Sequence, residues 1–243
     1  MNRNFISFSL ILAFLSLTVA PVLADQPIVV KLAKQDERVV KNFNGVAAGG
    51  PIHVVVTLGS TESLRFEGDT DAIATLITEV KGNILVIRPQ NSWTSWERKY
   101  QNKKITAYVT AKTIKSLTMS GNGSMSVKGK IKTTELATTL SGSGSISASA
   151  DVTSYTGVIS GSGNLNISGS AKDASIVVSG SGSFTNKGFS VGSLSSVVSG
   201  SGTVNVNAED NIEAVISGSG SINYSGNAKV EKRVTGSGRV RKI

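Results

Sequence analysis

Ser120-Gly121-Asn122-Gly123 returns along the chain as Ser141 to Gly144, Ser160 to Gly163, Ser179 to Gly182, Ser199 to Gly202 and Ser217 to Gly220, and finally as Thr235 to Gly238. Successive copies start 21, 19, 19, 20, 18 and 18 residues apart. Spacing this even marks one structural unit repeated, and periods of about 20 residues belong to solenoids and related arrays. The residue before the Ser is apolar in every copy: Met119, Leu140, Ile159, Val178, Val198, Ile216 and Val234. Five residues after it stand Met125, Ile146, Leu165, Phe184, Val204, Ile222 and Val240. Five before it stand Lys115 and then Leu136, Tyr155, Ala174, Leu194, Ile212 and Val230. Seven after it the row is Val127, Ala148, Ile167, Val206 and Tyr224, broken by Asn186 and Lys242. Even offsets within each flank are the period of a β-strand with one buried face. A Gly/Ser-rich linker would keep no apolar residue at a fixed offset.

Small residues return nine positions after the Ser, as Gly129, Ala150, Gly169, Gly188, Ala208 and Gly226. Each turn of 18–21 residues therefore has two corners and two strand regions. The paired glycines are Gly121 and Gly123, Gly142 and Gly144, Gly161 and Gly163, Gly180 and Gly182, Gly200 and Gly202, Gly218 and Gly220, and Gly236 and Gly238. They supply backbone angles costly for other residues and let successive corners stack without side-chain collisions. At about 4.8 Å per turn the array makes a rod on the order of 30 Å long, whose turns stand or fall together. The predicted fold is all-β, with a regular repeat over 116–243. Residues 38–115 read as an irregular N-terminal part that begins the solenoid or closes its end. There Ile52, Val54, Val56 and Leu58 alternate as a strand does, and Asp69-Thr70-Asp71 is placed to cap one short helix.

The ends and the composition bound the setting. Arg3 followed by the apolar run Phe5 to Val19 and by Val22-Leu23-Ala24 reads as a secretory signal peptide over residues 1–24, the alternative being a retained anchor. No later segment approaches the roughly 20 apolar residues a membrane span needs. Residues 25–37 are polar and patternless and read as a flexible leader. The chain has no Cys, so its stability rests on packing and hydrogen bonds, and an exported chain of this kind cannot be a lipoprotein. Removing Arg3 leaves 24 basic and 16 acidic residues, a net charge of +8. For an exported chain that balance points to acidic glycans, anionic headgroups or solubility rather than to nucleic acid.

Beyond the repeat, Arg38-Val39-Val40-Lys41-Asn42-Phe43-Asn44-Gly45-Val46, Ile52-His53-Val54-Val55-Val56-Thr57, Glu79-Val80-Lys81-Gly82-Asn83-Ile84-Leu85-Val86-Ile87 and Ile105-Thr106-Ala107-Tyr108-Val109 stand ahead of the Ser-Gly series. Together they resemble the head GIN domain family of auto-transporter adhesins over roughly Arg38 to Arg241. Thr110-Ala111-Lys112-Thr113 departs from it where the family tends to carry a proline-containing step. The resemblance implies a right-handed parallel β-helix, no known catalytic set, and a role in adhesion.

Catalytic constellations are thin. His53 is the single histidine and sits mid-strand, so it reads as structural. Zinc spacing is missing, and the Gly-rich corners are followed by neither a helix nor a Lys-Ser/Thr step. Glu213 and Glu231 share one offset in adjacent turns and should lie one strand apart, but Lys229 and Lys232 stand beside Glu231, and a solvated ladder is the reading. Lys232 and Lys242 fall at offsets that point inward on other turns, where they could block end-to-end stacking. The remaining candidate is the segment holding both tryptophans, with Trp93, Trp96, Arg98, Tyr100, Lys103 and Lys104 as the ligand-binding set, since aromatics beside cations suit sugar stacking or a headgroup layer. The alternative is that the indoles pack on the solenoid's flank or end. The reading is a non-catalytic, exported binding, adhesion or scaffold module needing no cofactor. Its partners would be polysaccharide, another surface protein or a host surface. A polysaccharide-active lyase or hydrolase on the same frame, or a structural protein with no ligand, are the alternatives.

Overall fold

The computed structural model describes residues 36–91, 93–100, 103–185 and 188–243, with only the backbone of Trp93, Thr94, Glu97 and Tyr100. The expected signal peptide and residues 25–35 of the expected leader lie outside the described residues. The chain is a parallel β-solenoid of about seven turns.

Its regular part is built from β8 (Ser116–Gly121), β9 (Ser124–Gly142), β10 (Ser145–Gly161), β11 (Asn164–Gly180), β12 (Ser183–Phe184), β13 (Phe189–Gly200), β14 (Thr203–Gly218), β15 (Ser221–Ser225), β16 (Lys229–Thr235) and β17 (Arg239–Lys242). Each coil pairs in parallel with the next, and the register follows the repeat: Ile159 faces Val178, Val178 faces Val198, and Val198 faces Ile216. The apolar rows predicted one residue before and five after the repeat Ser are buried throughout the central coils. In the last coil Val230 and Val240 are half-buried and Val234 is 37% exposed. Lys232 and Lys242 are in register with the inward Ala214 and Tyr224, as their offsets imply, and their side chains are exposed.

The two glycines of each corner do different work. Gly161 sits at φ 120°, and a Cβ there would lie 2.5 Å from the carbonyl oxygen of Gly142 in the preceding coil. Gly163 has no such angle; its Cβ would meet the Gly144 carbonyl and Leu140 Cδ2, each at 2.6 Å. The first glycine is needed for its backbone conformation and close stacking, the second for close stacking alone. The second corner is less strict, since Ala150 and Ala208 stand where Gly169 bends at φ 104°.

An inward row three residues before the Ser escaped the periodicity, because it mixes Leu117, Thr138, Gly157, Ile176, Ser196 and Ala214. Tyr155 explains part of it. Its fully buried ring leans over Gly157, where a Cβ would come within 2.8 Å of the phenol oxygen, and its hydroxyl shares a 2.7 Å hydrogen bond with Thr138 Oγ1. Phe189 lies edge-on to it at 5.0 Å between centroids and Phe184 at 6.0 Å. Burial pushes the Tyr155 phenol pKa far above its usual range.

The N-terminal part is both a beginning and a closure. β2 (Gly45–Gly49) and β3 (His53–Leu58) form a coil under β8 and β9, with β6 (Ile84–Pro89) and β7 (Ile105–Ala111) in parallel on their far sides. Antiparallel strands then finish the sheets: β5 (Leu76–Lys81) on β6, β4 (Ser63–Gly68) on β7, and β1 (Asp36–Arg38) on β4. Asp36 and Glu37 therefore belong to a strand, which corrects the expected leader boundary: pairing with Phe66 and Arg65 orders them, a contact no local pattern reveals. Gly82 and Asn83, both at positive φ, make the tight turn between β5 and β6. The predicted cap holds: Asp69 accepts from the Ala72 amide at 3.0 Å and starts α1 (Thr70–Ala74). Arg38 ties this end together, donating to the carbonyls of Leu76 (2.6 Å) and Ile73 (2.9 Å) and to Thr78 Oγ1 (2.7 Å), with its guanidinium 4.8 Å from the Phe66 ring centroid.

Candidate functional site

The tryptophan segment forms α2 (Trp93–Tyr100), which stands between β6 and β7 where other coils have a Ser-Gly corner. The structure separates its predicted ligand residues. Trp96 is buried, and its indole Nε1 donates to Thr75 Oγ1 at 2.8 Å, at the C-terminal end of α1. Lys103 is bound to Asp69 at 2.7 Å, at the N-terminal end of the same helix. That bond, followed by the Ala72 amide, holds the Asp69 carboxyl below its usual range, and Asp69 in turn raises the Lys103 ammonium. Trp96 thus packs as cap rather than as an exposed stacking face: a large ring beside an uncovered core gains more from burial than from solvent. Arg98 and Lys104 are exposed, and the side chains of Trp93 and Tyr100 lie outside those described.

A cleft of about 670 Å³ opens elsewhere, against the outer surface of β4 and β7. Its floor includes Arg65, Tyr108 and Thr110, and its wall is the segment Glu37 to Lys41. Arg65 and Tyr108 are directly opposed across the antiparallel pair, the guanidinium 4.3 Å from the ring centroid. Arg65 also pairs with Glu67. That bond and one from the Tyr108 hydroxyl lower the Glu67 carboxyl pKa, while Glu67 raises the Tyr108 phenol. Glu62 holds the wall, accepting from the backbone amides of Asn42 (2.9 Å) and Phe43 (3.4 Å). Val39, on the rim, is 91% exposed. Sequence reasoning missed this cleft because four separate segments build it. Its one local signal is Arg65 and Glu67, two residues apart on the outer side of a strand.

From the cleft, outward rows run along the strands that follow the corners. One passes from Tyr108 through Val55, Ser126, Ser147 and Asn166 toward Asn205 and Asn223. The polar groups are linked between coils: Thr185 Oγ1 donates to Asn164 Oδ1 (2.9 Å), Asn223 Nδ2 to Asn205 Oδ1 (2.9 Å), and Arg241 Nε to Asn223 Oδ1 (2.7 Å). His53 stands in the neighbouring row, its Nδ1 2.5 Å from Ser124 Oγ, which gives it the structural contact expected. Glu213 and Glu231 are exposed and face each other across adjacent strands, also as expected. Among the described residues no three of His, Asp and Glu gather as a metal-ligand set, and no helix is long and apolar enough to cross a membrane.

Three solved structures share this architecture. One described as a putative adhesin from Bacteroides fragilis NCTC 9343 has a TM-score of 0.75 at 21% identity, over 88% of this chain and 98% of its own. One described as a putative lipid binding protein from Parabacteroides distasonis ATCC 8503 has a TM-score of 0.70 at 22% identity, over 87% and 96%. A putative adhesin from Parabacteroides merdae ATCC 43184 has a TM-score of 0.67 at 19% identity, over 87% and 96%. At these identities the likeness establishes the fold. No curated protein sequence matches the chain. The family model described as "Putative auto-transporter adhesin, head GIN domain" matches residues 42–228, from the loop before β2 to the end of the coil before the last, and the chain belongs to that family.

Proposed function

We propose that the protein is an exported, non-catalytic adhesion module that holds polysaccharide along the strands following the Ser-Gly corners, with the cleft at Tyr108 as one end of the track. The observation that carries this reading is the outward face itself: Ser, Asn and Thr in rows, uncharged along 145–149 and 164–168 and hydrogen-bonded between coils at Asn164 and Asn205, leading toward a cleft with an aromatic ring. Amide and hydroxyl groups fixed in this way can both donate to and accept from sugar hydroxyls with little ordering cost. Weak contacts repeated every coil add up along a chain-like ligand as they do in multivalent binding. Export rests on the signal-like residues 1–24, and the family's adhesin description agrees with a location at the cell surface or beyond. Arg98 and Lys104, exposed at α2, would extend the surface toward acidic sugars, with Trp93 and Tyr100 as their proposed companions.

The test is a glycan array probed with the purified protein, run alongside an assay for release of new sugar ends. Binding without cleavage is expected, weakened at least about tenfold, or about 1.4 kcal/mol, by Tyr108→Ala combined with Asn166→Ala. Binding of no glycan, unchanged binding by the variant, or cleavage of a bound glycan would each defeat the reading. Binding confined to anionic lipid vesicles would move it toward the lipid role described for the Parabacteroides distasonis protein.

A further inference from the structure

The opposite face of the coil has a different character. The strands that lead into the corner read Gly157-Val158-Ile159, Ile176-Val177-Val178, Ser196-Val197-Val198 and Ala214-Val215-Ile216. Ile159, Val178, Val198 and Ile216 point inward and are buried, so the middle valine of each run points outward. Val158, Val177, Val197 and Val215 face one another coil by coil in an outer row, half-buried by their neighbours except Val197, which is 39% exposed. Parallel strands with such near-continuous apolar runs are characteristic of sheets covered on both sides. The strands after the corner alternate instead, as in Ser145-Ile146-Ser147-Ala148.

Charge in the central coils stands between the flat runs rather than on them. Between Leu136 and Ala208 the charged residues are Asp151, Lys172, Asp173 and Lys187. The runs 137–141, 156–160, 175–179 and 195–199 carry no charge, and the exposed Glu213, two residues before Val215, is the first on this face. On a chain of formal net charge +9, copies repel one another in most orientations. Over its uncharged coils this face lets two copies approach without that cost, and a second copy presents the same repeat.

We propose that the valine face is a self-association surface, on which a second copy docks about a two-fold axis with the Val158–Val215 rows interdigitating. Six coils at about 4.8 Å and three outward rows about 7 Å apart give roughly 600 Å² per copy. A standard interface takes about 800 Å² per partner, so the dimer is weak and concentration-dependent. The surface lies on a different side of the coil from the proposed glycan track, so the two readings stand or fall separately.

Sedimentation of the purified protein from about 5 to about 500 µM tests this, since association with a Kd in the tens to hundreds of micromolar is expected. Val177→Lys with Val197→Lys should remain monomeric throughout with its melting temperature nearly unchanged, because both side chains point outward. Should that pair fail to fold, Val197→Cys serves instead: the native chain has no Cys, so oxidation can join only two copies. Rapid cross-linking through residue 197, with little through Ser145→Cys on the other face, is the expected result. A monomer at the highest concentration, lysine variants that sediment like the native protein, or equal cross-linking from both faces would overturn the proposal. A monomeric native protein whose lysine variant loses glycan binding would assign the face to polysaccharide instead.

Discussion

The regular coils and the N-terminal part of this solenoid are held together in contrasting ways. Between Ser116 and Ser225 each coil is templated by the one before: Gly over Gly, Ile over Leu, corner amide to corner carbonyl. Between Asp36 and Ala111 almost every decisive contact occurs once: Arg38 on the carbonyls of Ile73 and Leu76, Trp96 on Thr75, Lys103 on Asp69, Glu62 on the amides of Asn42 and Phe43. Repetition suits a core that must extend, since an inward row serves any number of coils. Closing an end needs contacts the repeat cannot supply, because the end coil has nothing on one side to pair with.

The comparison makes different substitutions fail in different ways. Tyr155→Ala should be the most damaging, removing the buried ring that bridges Thr138, Phe184 and Phe189, at a cost of about 4 kcal/mol. The loss should appear as a lower denaturation midpoint for the whole array. If only the N-terminal hydrogen-exchange signal moved, the coils would not be the cooperative unit.

Gly161→Ala should cost about 3 kcal/mol, from a strained φ and a clash with the preceding coil's backbone. Gly82→Ala, also at positive φ but with nothing within 4 Å of the added Cβ, should cost only about 1 kcal/mol. Equal losses at the two sites would mean that backbone angle rather than stacking governs the corners.

Arg38→Ala should cost about 2 kcal/mol by leaving the half-buried carbonyls of Ile73 and Leu76 without their donor. Hydrogen exchange should quicken in β1, β5 and α1 while β10 and β11 stay protected. Uniform loss of protection would erase the distinction drawn between the two regions.

The smallest effect is that of acid. Arg65, Lys103, Lys81 and Lys130 hold the carboxyls of Glu67, Asp69, Glu79 and Asp151 below their ordinary range. A carboxyl with a depressed folded pKa contributes stability above its unfolded pKa and loses it as pH falls through the folded value. Three of the four lie in the N-terminal part. Below about pH 4 exchange should therefore quicken first in α1, β4 and β5, and simultaneous loss across all coils would contradict this.

Much of the fold was legible because one coil's needs are local and recur. An apolar residue before each Ser and another five after it announce the inward rows, and Asp69 ahead of Thr70 announces a cap. The row containing Thr138, Gly157 and Ser196 was not legible, since one large ring, Tyr155, reaches across positions that look polar or empty. The site fared differently. Two aromatics beside cations mark a sticky segment in any sequence, but sequence cannot say which side an indole turns, and Trp96 turns inward.

The residues alone determined the all-β coil, its period and its inward rows, because a strand's two sides and a repeat's register follow from spacing. Only the tertiary structure decided that Trp96 and Lys103 serve the cap, that Tyr108 and Arg65 floor a cleft, and that four valines share an outer row in register. Those outcomes depend on which distant strands pair, and an antiparallel partner such as Asp36 to Phe66, or β4 to β7, is chosen by the free energy of closing a whole end rather than by any period in the chain.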